Sequence, residues 1–594
     1  MSGYMSMAGT LCVLAVATLG LAGGSMRYTA EGVVLGPDAE TLNGVQVSLY
    51  IVDSREAFGR DRIRPYRQLT TGTDGKYAFA IEAEAEGRYG LIAVQKAGLA
   101  WNCRRWSQLA DLRADMTLAR PAELAGLVID ERGQPIAGAE VSLQGLRCDH
   151  LRSYEIPSAL ARTLFTTQTD ARGRFRFTTM STDWQTDFLI EATGYGTVRS
   201  RDLPDSLYTV YGPGQSDIQF TLKPEAQIRG TVVSATDSEP LAGIAVNLGR
   251  TETGAAYGFE SAISDRAGGF SFRGIPTGPL WVGAATSHAP DTGWVGWPIS
   301  IRTKAGETTE GVKLELTRGG IFEVKVMDPV GASVEGAGLT VFTREGNRLA
   351  QGRTDAAGLC RIRLPAGAYK LVDVGKSGFH TYELSLFFDI EAGQTVRREV
   401  TLRKAARVEG IVVDAEGRPV CDVRVVLMPS PTRAAYTDQR GRFTMVWDKW
   451  LDGDSEPKNR QFELIALDVK GNRAGSVKLR EATGAIRLVL RPAVRITGTV
   501  VGSEGKPIEH ALVSSWLKGQ TWGMNLSPNK RILTDHLGRF AIFPALPARA
   551  CELTIRAQGW DTAKRDFQTH AETMQPFDVG TITLTPGAAH ENAN

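Results

Sequence analysis

Cysteine is scarce in this chain, six in 594 residues. Cys12 lies in an N-terminal apolar run. The other five, Cys103, Cys148, Cys360, Cys421 and Cys551, form no C-x-x-C pair. An odd, sparse set excludes a disulfide framework. Five isolated buried thiols are expected, although a Cys103–Cys148 bridge is conceivable. The seven histidines (His150, His288, His380, His510, His536, His570 and His590) are dispersed. With no H-E-x-x-H and no H-x-x-E with a distant His, no zinc site is expected. G-x-S-x-G, the P-loop and the dinucleotide fingerprint are missing too. The reading is therefore no enzyme, no metal and no cofactor. Charge of one sign is also lacking: 68 basic and 66 acidic residues leave a net +2. Without a dense Lys/Arg stripe, a nucleic-acid partner is excluded.

Long hydrophobic runs are absent except at the start. Thr10–Ala22 (TLCVLAVATLGLA) is uncharged, is followed by the small residues AGGS, and reads as an export signal over 1–24. The preceding MSGYMSMAG departs from that pattern by lacking Lys and Arg. The run is short for a membrane helix, so an uncleaved anchor is the minor alternative. Cys12 sits inside the run rather than after it, which excludes a lipoprotein. The expected location is secreted, periplasmic or cell-surface, with no membrane span after signal removal.

What is abundant is turn chemistry, with 65 glycines and 26 prolines spread along the chain. One stretch recurs six times: TDGKYAF (73–79), TDARGRFRF (169–177), SDRAGGFSF (264–272), TDAAGLCRI (354–362), TDQRGRFTM (437–445) and TDHLGRFAI (534–542). The aspartate can accept hydrogen bonds from amides just ahead of it, and the glycine supplies positive φ. The turn residues are thus Asp74 and Gly75, Asp170 and Gly173, Asp265 and Gly268, Asp355 and Gly358, Asp438 and Gly441, and Asp535 and Gly538. Alternation in RFRF then places both phenylalanines on one face of a half-buried strand. One carboxylate per loop is too few for a metal site.

A strand–turn–strand element precedes each copy, as in LAGLVIDERGQPIAGAEVSL (124–143) and VEGIVVDAEGRPVCDVRVVL (408–427). A closing strand follows, as in FTLKP (220–224) and LVLRP (488–492). Starting positions Gly32, Gly126, Gly230, Val324, Gly410 and Gly498 leave each unit enough chain to bury its own core. They are too far apart for a solenoid repeat. Short strands, turn signals and little helical periodicity predict an all-β tandem array of six β-sandwiches. The expected boundaries are 27–121, 122–224, 225–318, 319–404, 405–492 and 493–586, with a polar tail at 587–594. The joints EAQ and AVR are too short to flex, which predicts a stiff string, straight or gently bent.

The pattern G-x-V-x-D-x-x-G-x-P-x-x-G-a-x-V-x-L, then T-D-x-x-G-x-F-x-F, then a strand pair around G-Y or G-F (EATGYGTVR, 191–199; GKSGFHTY, 375–382), resembles the carboxypeptidase regulatory-like domain. That resemblance covers nearly the whole exported chain. It implies a transthyretin-like (prealbumin-like) seven-stranded sandwich, here without a peptidase domain. Repeat four departs by lacking the first glycine, and repeat one by lacking two residues in its Asp–Gly turn. Related pilin sandwiches carry Lys–Asn crosslinks. Lys325 lies on a first strand, but the closing strand RREVTLRK offers no Asn, so no crosslink is expected.

The eleven tryptophans cluster in inserts: WNCRRW (101–106), WVGAATSHAPDTGWVGWP (281–298), WDKWLDGDSEPKNR (447–460) and WLKGQTWGMN (516–525). Exposed indoles can stack on sugar rings, so Trp294, Trp297, Trp447 and Trp450 are candidate carbohydrate-binding residues. Packing at sandwich ends is the plainer alternative. DGDSE (452–456) reads as a solvated acidic loop. The functional expectation is a non-catalytic exported repeat protein of the cell envelope or extracellular space, with a polysaccharide or a cell-surface protein as partner. Carbohydrate binding through loop tryptophans is the alternative, and a cryptic enzyme the least favoured.

Overall fold

The computed structural model describes residues 26–587, apart from 54–62, 84–87, 107–111, 148–152, 156–157, 183, 204–205, 207–208, 252–259, 285–291, 377, 380–381, 429, 448–461, 480–485, 520–522, 527–530 and 572–574. Contacts divide the chain into two compact bodies. One is formed by the described residues within 1–54, 65–94 and 103–117, the other by those within 55–64, 95–102 and 118–594. The signal-like run, Cys148, Trp450 and DGDSE lie outside the described residues. No helix among the described residues is long and apolar enough to cross a membrane.

The chain is all-β, and its described residues form twelve sheets that come in six pairs. Repeat three shows the plan. Its first strand, Ala226–Ser234, lies in the middle of a three-stranded sheet, antiparallel to Gly269–Ile275 and parallel to Thr308–Leu316. The facing sheet runs Glu260–Ile263, Ala245–Gly249, Gly278–Ala284, Ile299–Thr303, all antiparallel. Ile228, Val232, Phe270, Phe272 and Leu314 from one sheet meet Val246, Leu248, Leu280 and Val282 from the other in a closed core. Gly269–Ile275 alternates as the motif predicts, with Phe270 and Phe272 buried and Ser271 and Arg273 exposed. Full burial of each ring contributes roughly 1.5–3 kcal/mol.

The other repeats follow this order, with additions. Repeat one closes with two short strands, Leu112–Arg113 and Met116–Thr117, both parallel to Met26–Leu35. Repeat two inserts a short helix, Ser158–Leu164, held by Arg162 pairing with Glu191 at 2.8 Å.

Within the second body the joints are locked by hydrogen bonds. The Glu225 amide donates to the Gly194 carbonyl, and its carboxylate accepts from the Gly274 amide at 2.8 Å. The Ala405 amide donates to Gly378, and the Ala493 amide to Asn472. The turn before each last strand pair thus holds the exit of its own repeat, which removes the freedom a linker needs.

The core of repeat six extends onto the outer face of a repeat-five sheet. The strands Arg424–Met428 and Phe462–Asp468 are buried on both faces. Val425, Leu427, Leu464 and Ala466 point into repeat five. Val426, Met428, Ile465 and Leu467 pack with Val494, Ile496, Leu553 and Ile555 of repeat six. The signal is legible in FELIALD, a near-continuous apolar run rather than an alternating one.

Candidate functional site

Five of the six recurrent turns share one geometry. Asp170 Oδ1 accepts the amides of Arg172 and Arg174, both at 2.9 Å, and Gly173 has φ 72°. Asp265, Asp355, Asp438 and Asp535 accept the corresponding amide pairs. These hydrogen bonds hold the Asp170 and Asp535 carboxyls below the usual carboxylate range. Gly268, Gly358, Gly441 and Gly538 all have positive φ, as does Gly75. In repeat one the turn keeps its full length. The Gly75 amide donates to the Gly72 carbonyl just as Gly173 donates to Asp170, so Gly72 stands where the aspartate stands elsewhere. Asp74 accepts the Lys76 amide and pairs with the ammonium of the same residue at 3.4 Å.

The residue before that position was not singled out by the turn reading. Thr169 Oγ1 accepts the Ala139 amide at 2.8 Å and donates to the Ile136 carbonyl at 2.7 Å. Thr71, Ser264, Thr354, Thr437 and Thr534 do the same in their repeats. A buried hydroxyl here supplies donor and acceptor together where the facing-sheet strand begins. The signal was present in the sequence as the T or S opening five of the copies, while in repeat one Thr71 lies two residues before TDGKYAF.

The tryptophans divide. Trp294 is half-buried against the core of repeat three, beneath the Arg318 guanidinium at 3.9 Å, a cation–π contact. Trp297 is 41% exposed and stacks parallel to Tyr369 of repeat four, with centroids 6.1 Å apart. Trp516 is equally exposed, without having been chosen. Trp447 ends the strand Arg442–Trp447, opposite Ala406. Trp101, in the second body, stacks on Phe165 and meets Trp184 edge-on.

Thiols other than the exposed Cys421 are buried at Cys103, Cys360 and Cys551. Burial pushes each of these three up to about 12. Lys325 reaches Ser333 Oγ and the Ala357 carbonyl. Among the described residues no cluster of His, Cys, Asp and Glu could hold a metal.

A cleft opens where repeat two meets repeat six, inside the second body. Arg531 of repeat six donates to the carbonyls of Ser206 and Thr209 in repeat two, the latter at 2.8 Å. Gln185 Nε2 of repeat two donates back to the Arg531 carbonyl at 3.3 Å. A straight or gently bent string does not bring residues 185 and 531 into contact. The cleft has two lobes of about 460 and 480 Å³ that share Gln185, Val210 and Leu533.

No protein-family model matches the chain, and no curated protein matches it. Many solved structures align with it, three of which follow. The Bacillus anthracis TIE protein is 12% identical over 64% of this chain and 75% of its own, with a TM-score of 0.15. A streptococcal ancillary pilin is 13% identical over 48% and 98%, with a TM-score of 0.18. GBS52, the minor pilin of Streptococcus agalactiae, is 15% identical over 30% and 97%, with a TM-score of 0.18. TM-scores this low carry no argument about what this chain does.

Proposed function

We propose that this chain is a non-catalytic, exported scaffold of six transthyretin-like sandwiches with the boundaries given above, acting in envelope structure or interaction. The observation that carries the reading is the joining of repeats within the second body. Joints are hydrogen-bonded, and the outer face of a repeat-five sheet packs into the core of repeat six. Such construction suits a protein whose task is to hold surfaces in fixed relation. Fractionation of expressing cells tests it: the chain should be found in the envelope or the medium. Retention in the cytoplasm would overturn the reading.

Carbohydrate binding through the loop tryptophans is the second reading, favoured by the 41% exposure of Trp297. A glycan array probed with the full chain and with a Trp294/Trp297/Trp447/Trp450→Ala variant tests it. Binding lost only in the variant supports the reading. Unchanged binding assigns those indoles to packing.

A further inference from the structure

We propose that the cleft between repeats two and six binds a neutral, hydroxyl-bearing ring molecule, a saccharide by its chemistry. The proposal rests on the non-catalytic interaction reading and supplies its ligand class. Trp294, Trp297 and Trp516 do not line the site, whereas Trp184 lines its second lobe.

The decisive group is Gln185. Its side chain is buried, at 9% exposure, and lines both lobes. Nε2 is used on the Arg531 carbonyl, while Oε1 has no hydrogen-bond partner. A buried acceptor left unpaired carries a desolvation penalty, so a hydroxyl donor that reaches it from the cleft is favoured. Around it the walls are apolar: Val210 from repeat two, and Ile532, Leu533 and Phe540 from repeat six. Thr182, Thr209 and Gln215 line the second lobe.

The ligand's charge follows from the ionic groups. Arg531 is engaged by two carbonyls, and Asp535 Oδ1 by the amides of Leu537 and Arg539. What remains is Asp535 beside Arg539 in the first lobe, one charge of each sign, and His510 in the second; neither lobe holds a surplus of fixed charge that would select a cation or an anion. A sugar ring matches this lining. Its C–H face suits the apolar wall and its hydroxyls suit a neutral carbonyl. Each lobe falls within the ~300–1,000 Å³ range of small-molecule sites.

The test is calorimetric titration of the full chain with maltose, cellobiose and N,N′-diacetylchitobiose. At least one should bind, and Gln185→Leu should weaken it about tenfold or more while the melting profile is kept. Val210→Trp, which fills space that both lobes share and leaves residue 185 unchanged, should also abolish binding. A Trp297→Ala/Trp516→Ala variant should bind like the parent. The proposal is overturned by silence from all three sugars, or by unchanged affinity in a folded Gln185→Leu or Val210→Trp variant. It is likewise overturned if binding is lost only in the tryptophan variant. Recovery of the bound sugar is measured alongside: intact sugar keeps the non-catalytic reading, and cleaved sugar overturns that reading while leaving the site in place.

Discussion

Val324 lies directly opposite Cys360 on the ladder of repeat four, at the rung where the other five repeats set a glycine against an aromatic ring. The partners there are Gly32 and Tyr77, Gly126 and Phe175, Gly230 and Phe270, Gly410 and Phe443, and Gly498 and Phe540. A Cβ on Gly126 would come within 2.6 Å of the Phe175 ring, and one on Gly410 within 2.7 Å of Phe443. The ring occupies the space a side chain would take. Repeat four fills the same volume with a smaller thiol and a larger valine.

This exchange predicts a compensating pair. Cys360→Phe alone should destabilise by about 1–3 kcal/mol through overpacking. Val324→Gly added to it should recover part of the loss, with a coupling of about 0.5–3 kcal/mol. Urea unfolding of the four-member cycle measures it; strict additivity would show that the two sites do not share that volume. At an unexchanged rung, Phe443→Ala should cost about 3–5 kcal/mol, and an unchanged melting profile would contradict its place in the core of repeat five.

The buried turn hydroxyl gives a second expectation. Thr437 Oγ1 sits between the Val423 amide at 2.9 Å and the Val420 carbonyl at 2.8 Å. Thr437→Val keeps the shape and leaves both groups unpaired, so it should cost about 1–3 kcal/mol. Thr437→Ser should be far milder. Equal loss for both variants in thermal unfolding would assign the effect to the methyl group.

A third concerns pH. Glu463 of repeat five is 4% exposed and makes a two-pronged contact with Arg549 of repeat six, at 2.6 and 3.0 Å. Burial works to raise its pKa, but hydrogen bonds from Arg549 and Ser476 and the nearby Arg549 and Lys478 charges outweigh burial and hold it below the usual range. A carboxyl with a lowered folded-state pKa stabilises above its unfolded value of about 4.3. That contribution fades as pH falls through the lower folded value. Glu463→Gln should therefore be less stable than the parent at pH 7 and should converge on it in acid. Arg549→Met, which strands a buried carboxylate, should cost about 3–5 kcal/mol at neutral pH. A constant stability gap between Glu463→Gln and parent across the acid range would contradict the pair's role.

Thiol reactivity supplies the fourth. The native chain treated with iodoacetamide at pH 8 should be modified at Cys421, which is exposed. Cys103, Cys360 and Cys551 should be protected until unfolding, because burial raises their thiols to about 12 and only the thiolate is the nucleophile. Peptide mapping reads each site; rapid labelling of Cys360 would contradict its buried position.

The repeat plan was legible in the sequence because its signals are local. A glycine with positive φ, an aspartate bonding amides two and four residues ahead, and alternation of period two each act within a few residues, so Asp170, Gly173 and Phe175 could be placed by inspection. Thr169 was visible but unread, since its partners, Ile136 and Ala139, lie across the turn pair rather than beside it. Long-range packing decided the rest. Whether an indole is a platform or a wedge depends on what lies across the joint, which for Trp297 is Tyr369, a residue no spacing rule connects to it. The cleft depends on Gln185 and Arg531, 346 residues apart, and neither belongs to a motif. Sequence periodicity determined the sandwiches because each buries its own core. Only the tertiary structure decided which faces remained to meet, because that is set by the summed geometry of every joint between them.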